Sequence, residues 1–199
     1  MTVLAAKGSA VFLDRDGTLI REVNYLCAVE QIEILPGVAQ ALRLLRERGF
    51  KLVMVTNQSV IARGGLSEAG LQEIHAALSA KLGADGASLD AIYYCPHHPT
   101  EGIGEFRVAC TCRKPNTGMI ERAVKDLDLD ATQSYVVGDQ MTDFELAHRV
   151  GAAAIFIGCV EVAADAARAL NVPVVDDLLQ AACWIIERAG QSQSGAQKS

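Results

Sequence analysis

The chain lacks a basic excess, a long apolar run and an internal repeat. Its 18 Lys and Arg stand against 24 Asp and Glu, giving a formal net charge of −6 and a pI near 5.2. A nucleic-acid binder normally carries a basic footprint, so this balance argues against one. The apolar run Gly151–Val160 is far too short to cross a membrane, and Glu161 stops it. There is also no basic-plus-apolar leader, so the expectation is a cytoplasmic protein that meets neither membrane nor nucleic acid. Six cysteines without an export signal point to thiols or a metal site in place of a disulfide framework. A length of 199 residues, 50% hydrophobic and 21% charged, fits one compact domain with a full core.

What is present is an alternation of strand and helix signals. Short apolar runs predict strands over Ala10–Leu13, Lys51–Thr56, Leu89–Tyr94, Ser134–Val137, Ala153–Ile157 and Pro173–Val175. Pro36-Gly37 opens a helical pattern with Val38, Ala41, Leu42 and Leu45 on one face, ending at Gly49. Ser67 caps the next helix, whose apolar stripe is Leu71, Ile74, Leu78 and Leu82. Further helices are predicted over Thr117–Leu127, Thr142–Val150, Val162–Leu170 and Leu178–Ala189. This order predicts an α/β fold, a parallel sheet with helices on both faces. Two long irregular segments, Gly17–Leu35 and Cys95–Asn116, interrupt it, and loops of that length are usually functional. The small, polar tail Gly190–Ser199 predicts disorder, which leaves one domain over 1–189.

The chemistry follows the strand ends, where ligands of open α/β sheets bind. The first strand runs into Asp14-Arg15-Asp16-Gly17-Thr18. Taken alone, this is equally an Asp-rich turn or a helix cap. After the second strand come Thr56-Asn57-Gln58-Ser59, which alone read more readily as a turn than as a site. Arg113-Lys114-Pro115 puts two cations just before a helix, and alone reads as a solvated basic pair. The fourth strand leads into Gly138-Asp139-Gln140-Met141-Thr142-Asp143, where Asp143 alone would serve a helix dipole. Together the four ends offer a nucleophile with an acid/base, a hydroxyl donor, a cation and a metal-binding acid. That is the part list of a phosphoryl-transfer site.

A second constellation is Cys95-Pro96-His97 and, twelve residues on, Cys110-Thr111-Cys112. In an extended segment residues i and i+2 project to one side, so each pair can converge on one ion. Together they make a Cys₃His set that suits a closed, structural Zn²⁺ site. His98 competes with His97, although its i+3 offset and the following Pro99 disfavour it. Cys27, Cys159 and Cys183 lack such pairing and read as ordinary buried thiols. His75 and His148 read as structural.

Asp14-x-Asp16-Gly17-Thr18, Thr56, Lys114 and Gly138-Asp139-x-x-x-Asp143 resemble, in order, the four motifs of the haloacid dehalogenase superfamily of phosphohydrolases. The resemblance implies a Rossmann-like sheet and an aspartyl-phosphate mechanism. Asp14 would be the nucleophile and Asp16 the acid/base. Thr56 and Lys114 would bind phosphoryl oxygens. Asp14, Asp139 and the Asp16 backbone carbonyl would hold Mg²⁺. Elementary chemistry agrees: an Asp carboxylate attacks without a base to activate it. Asp14 and phosphate repel until Mg²⁺ and Lys114 neutralise them. Closely spaced carboxylates also push their pKa values apart, which divides labour between Asp14 and Asp16.

With the zinc loop and Ile61-Ala62-Arg63-Gly64, the chain is similar to the D,D-heptose 1,7-bisphosphate 7-phosphatases of nucleotide-activated heptose synthesis. That resemblance implies a small phosphorylated sugar as partner, a monomer, and short loops in place of a large cap domain. It places substrate contacts at Glu22, Val23, Asn24 and Tyr25, at Asn57, Gln58 and Ser59, and at Arg113. Gln140 lies on the same side, where many relatives carry Lys; Val60 stands where Gly is common. Histidinol-phosphate phosphatases share the motifs and zinc ligands, but generally have a shorter insertion between the ligand pairs. A zinc-stabilised interaction module without catalysis would have no need of Asp14, Asp16, Thr56, Lys114 and Asp139 together.

Overall fold

The computed structural model describes residues 4–158, 165 and 172–196. Cys159 and, apart from residue 165, the helix expected over Val162–Leu170 lie outside them. Six parallel strands form one sheet: β1 (Ala10–Leu13), β2 (Lys51–Asn57), β3 (Ala91–Cys95), β4 (Tyr135–Gly138), β5 (Ala153–Ile157) and β6 (Val174–Val175), in the order β3-β2-β1-β4-β5-β6. The helices are α1 (Val38–Glu47), α2 (Ser59–Ala62), α3 (Glu68–Ala84), α4 (Gly118–Leu127), α5 (Met141–Val150) and α6 (Leu178–Ala196). The expected α/β architecture is therefore present.

Strand alternation builds a core on each face. Ala10 and Phe12 join Val53, Val55 and Val136 under α4 and α5, which contribute Met119, Ile120, Leu146 and Ala147. Val11 and Leu13 join Leu52, Met54 and Val137 under α1, α3 and α6. Being buried on both faces explains why β1 is apolar at every position. Ser67 Oγ accepts from the Gly70 N–H at 3.0 Å, the cap expected at the start of α3.

The structure departs from the sequence reading in four places. β3 begins at Ala91 because Asp90 turns its carboxylate on the ladder: Oδ2 accepts from the Leu52 N–H at 2.9 Å, and the same group pairs with Arg46 and Lys51. The four-residue α2 is too short to show a period. α6 runs on to Ala196, through most of the segment expected to be a disordered tail. Cys27 and Cys183 are exposed, not buried. Among the described residues, no helix is long and apolar enough to cross a membrane.

The strand order reverses between β1 and β4, and ligands of open parallel sheets bind outside the carboxyl ends at such a switch point. Asp14 and Asp139 each follow directly on one of these two strands.

Candidate active site

The end of β1 is fixed by the neighbouring strand, since the Asp14 N–H donates to the Val137 carbonyl at 3.0 Å. Asp14 is buried, and its Oδ1 accepts from the Arg15 N–H at 2.7 Å and from Lys114 Nζ at 2.8 Å. Both contacts fall on Oδ1, so Oδ2 carries no hydrogen bond among the described residues. Lys114 is 3% exposed, and its ammonium also donates to the Val55 carbonyl at 3.0 Å and to Asp143 Oδ1 at 2.6 Å. All three of its N–H bonds are thus engaged. Burial disfavours the charged lysine, but the Asp14 and Asp143 carboxylates outweigh it and hold the pKa above the ordinary lysine value.

Two glycines let the acids approach. Gly17 has φ +74°, and a Cβ there would lie 2.1 Å from Asp139 Oδ2; a Cβ on Gly138 would lie 2.3 Å from Asp143 Oδ2. Asp14, Asp139 and Asp143 each bring an oxygen within 4.8 Å of the others. Burial, then the Asp14 charge, pushes Asp139 up to about 6. Burial pushes Asp143 up as well, against the pull of Lys114. The Asp139 Oδ1 is buried without a partner, as a carboxylate oxygen awaiting a cation would be. An all-oxygen donor set of this kind suits Mg²⁺.

Thr56 closes the other side, buried at the end of β2, its Oγ1 accepting from Gln58 Nε2 at 2.8 Å. Asp14, Asp16, Glu22, Thr56, Asn57, Lys114, Asp139, Gln140 and Thr142 line a cavity of about 160 Å³. An adjoining cavity of about 200 Å³ shares Asp16, Glu22 and Asn57 and adds Asn24, Tyr25, Gln58 and Ser59. The substrate contacts expected at Glu22, Asn24, Tyr25, Ser59 and Gln140 are therefore brought together with the acids. Asn24 and Tyr25 take φ values of 44° and 73°, an unusual pair for residues with side chains, and Arg63 stacks over the Tyr25 ring at 5.1 Å. A larger cavity, about 610 Å³, lies along β3 beside Tyr93 and Tyr94, away from these acids.

Of the other expected contacts, Val23 and Arg113 line neither cavity, whereas Asn57 and Gln58 do and are also engaged within the wall. Val23 packs against the core and lines neither cavity beside the acids. Arg113 also lines neither, and its Nη1 donates to the His97 carbonyl at 3.0 Å. Asn57 clamps the Lys114 backbone, accepting from its N–H at 2.9 Å and donating to its carbonyl at 3.2 Å. Gln58 engages its amide nitrogen with Thr56 and with Asp16 Oδ2. The sequence reading missed Thr142 as a lining residue and counted Asp143 in the fourth motif without a role beyond the helix dipole. Asp143 does cap α5, its Oδ2 accepting from the Gln140 N–H at 3.3 Å, but it is also the second counter-ion of Lys114.

The Cys₃His cluster forms beside this site. Cys95 and Cys112 Sγ are 3.1 Å apart, Cys110 and Cys112 3.3 Å, and Cys95 and Cys110 3.4 Å. His97 Nδ1 lies 3.4 Å from Cys112 and 3.7 Å from Cys95. Tetrahedral zinc with Zn–S near 2.3 Å needs donor separations of about 3.8 Å. The set fits such an ion with shifts of well under about 1 Å. Hydrogen bonding with Cys112, then burial, raises Cys95, while hydrogen bonding with Cys95 lowers Cys112 to about 5. His98 is turned elsewhere, its Nδ1 accepting from the Glu101 N–H at 3.0 Å.

Comparison with known proteins agrees with this geometry. The HAD-hydrolase-like family model matches residues 111–181. D-glycero-beta-D-manno-heptose-1,7-bisphosphate 7-phosphatase of Haemophilus ducreyi is 48% identical over 143 residues, 71% of this chain and 78% of the relative. The Salmonella typhi protein of the same name is 37% identical over 195 residues, 98% of each chain. The crystal structure of D,D-heptose 1,7-bisphosphate phosphatase from B. bronchiseptica, complexed with magnesium and phosphate, superposes with a TM-score of 0.78 at 29% identity, covering 90% of this chain and 99% of that one. This chain belongs to the D-glycero-β-D-manno-heptose-1,7-bisphosphate 7-phosphatase family of haloacid dehalogenase-like hydrolases.

Proposed function

We propose that the protein is a Mg²⁺-dependent phosphatase removing the 7-phosphate of D-glycero-β-D-manno-heptose 1,7-bisphosphate, in nucleotide-activated heptose synthesis. The observation that carries this reading is the switch-point triad: Asp14 held by buried Lys114 at 2.8 Å, with Asp139 Oδ1 unpartnered beside it. Asp14 Oδ2 attacks phosphorus, and the bond from phosphorus to the sugar oxygen breaks as Asp16 protonates that oxygen. Asp16 then takes a proton from water, which attacks the phosphorus and releases phosphate from Asp14. Thr56 and Lys114 hold phosphoryl oxygens throughout. Because Lys114 has no free N–H, a phosphoryl oxygen takes over the donor that Asp14 now accepts.

Asp14, Asp139 and the Asp16 carbonyl would hold Mg²⁺, which neutralises charge shared between Asp14 and phosphate when bound. Cys95, His97, Cys110 and Cys112 would hold a structural Zn²⁺. Glu22, Asn24, Tyr25, Ser59 and Gln140 face the sugar from the cavity walls. One domain over 1–189, a monomer in the cytoplasm, carries the activity.

The test is a substrate panel with Mg²⁺: both anomers of the heptose bisphosphate, fructose bisphosphate and histidinol phosphate. The β anomer is expected to give the highest kcat/KM. Faster turnover of histidinol phosphate than of either heptose anomer moves the assignment to that substrate, and no turnover of any ester removes the enzymatic reading.

A further inference from the structure

Asp16 is held more fully than any other acid of the site. Its Oδ1 accepts from Arg15 Nε at 3.0 Å and Nη2 at 2.9 Å, and its Oδ2 from Arg15 Nη2 at 2.8 Å and Gln58 Nε2 at 3.0 Å. Arg15 is 1% exposed, and its Nη1 is buried without a partner among the described residues. A guanidinium in that position does the core little good, since an apolar side chain of like volume would leave no orphaned N–H. Nor does local geometry require the pair, because neighbours on an extended chain point to opposite sides. The turn brings them together: the Leu19 and Ile20 N–H groups donate to the Arg15 carbonyl at 2.9 and 3.0 Å, and Gly17 supplies the positive φ. Gln58 also donates to Thr56 Oγ1, so the same amide refers Asp16 to the phosphoryl-binding hydroxyl.

We propose that Arg15 is a positioning residue for proton transfer: its planar fork, with Gln58 as a second arm while Asp16 is ionised, fixes the carboxylate at the wall of the smaller cavity. Four hydrogen bonds fill that carboxylate, so the Gln58 N–H leaves Oδ2 when that oxygen carries the proton. The inference deepens the proposed function and rests on Asp16 as the acid/base. A lysine keeps the charge at this position but not the fork, so orientation is lost while charge is retained.

The experiment follows the first turnover of zinc- and Mg²⁺-loaded protein by rapid quench, with two esters. p-Nitrophenyl phosphate releases a stable anion without help, whereas an alkyl phosphate needs its leaving oxygen protonated. Arg15→Lys, Arg15→Gln and Gln58→Met are compared with Asp16→Asn, each checked by thermal melting. The Arg15 variants should lose roughly tenfold or more in cleavage rate on the alkyl ester relative to the aryl ester. Half-saturating concentrations should stay within about twofold. Equal losses on both esters, or a rise in half-saturation with the rate unchanged, would leave Arg15 a merely structural residue. Arg15→Lys, which keeps the buried charge balanced, decides if Arg15→Gln fails to fold, and Gln58→Met decides if both fail. Asp16→Asn separates the two claims: if it cleaves the alkyl ester at the wild-type rate, the acid/base reading itself fails. If it is selectively impaired and the clamp variants are not, only the positioning role fails.

Discussion

Replacing Asp143 with Asn removes a charge at the centre of the site while keeping its shape. Asp143 is 3% exposed, and its Oδ1 lies 2.6 Å from Lys114 Nζ. Breaking a buried ion pair from one side costs about 3–5 kcal/mol. Here Asp14 still faces Lys114 at 2.8 Å, so the lower end, about 3 kcal/mol, is expected. In a domain of this size each kcal/mol moves the melting midpoint roughly 2–4 °C, so Asp143→Asn should melt about 6–12 °C lower. Catalysis should suffer too, because Asp143 anchors the ammonium proposed to hold a phosphoryl oxygen. Losing a charged hydrogen bond, about 1.5–3 kcal/mol, corresponds to roughly 10- to 150-fold in kcat/KM. Calorimetry and a phosphate-release assay at saturating Mg²⁺ measure both. If the midpoint stays within about 1 °C of wild type, Asp143 is a neutral acid in the fold, and the two-sided clamp on Lys114 is wrong.

Three further outcomes are expected. Asp14→Asn should retain the fold, seen by circular dichroism, and release no phosphate; substantial turnover would remove Asp14 as nucleophile. Elemental analysis should find one tightly held zinc per chain, and Cys110→Ser should lower that content together with kcat/KM; zinc-free, fully active protein contradicts the structural role. His75, pushed down to about 4 by burial and then by the Arg15 charge, stays neutral in the fold while the unfolded chain titrates near 6.5. Its contribution is therefore intact above pH 6.5 and lost as pH falls towards 4, about 2 kcal/mol of it by pH 5. His75→Phe should flatten that part of the urea-midpoint profile between pH 7 and 5, and an unchanged profile refutes the assignment.

The sheet was legible because its strands are short apolar runs: Ala10–Leu13 is buried at every position and Ala153–Ile157 over its last three, and both fold as strands. The four motifs were legible as a set, since each supplies a different chemical part, three of them at the carboxyl ends of β1, β2 and β4 and Lys114 from the long loop between β3 and α4. Tertiary closure was not. Nothing at Asn57 or Gln58 says that these amides turn inward to Lys114 and Asp16 instead of outward. Asp143 obeys its local rule as a helix cap, so its pairing with a lysine 29 residues away leaves no trace in the local sequence. Arg15, read along a strand, should point away from Asp16, and only the turn at Gly17 reverses that.

Lys114 shows how the two metal-type sites depend on one another. Cys112, Arg113 and Lys114 are consecutive, so the last thiol of the Cys₃His cluster is two residues from the buried ammonium. Arg113 ties back to the carbonyl of another member of the cluster, His97, which leaves little slack between the cluster and Lys114. Asn57 then grips the Lys114 backbone from the end of β2 with two hydrogen bonds, independently of the zinc loop. The ammonium is thus placed from two directions, by the loop that carries the cluster and by the sheet. Loss of zinc should accordingly weaken catalysis without abolishing it, because the Asn57 clamp and the Asp143 pair remain. Loss of Asn57 together with zinc should cost more than the sum of the two separate losses, since two restraints on one side chain back each other up. An Asn57→Ala variant assayed with and without its zinc measures that coupling, and strictly additive losses would show that the loop and the sheet do not share the task of holding Lys114.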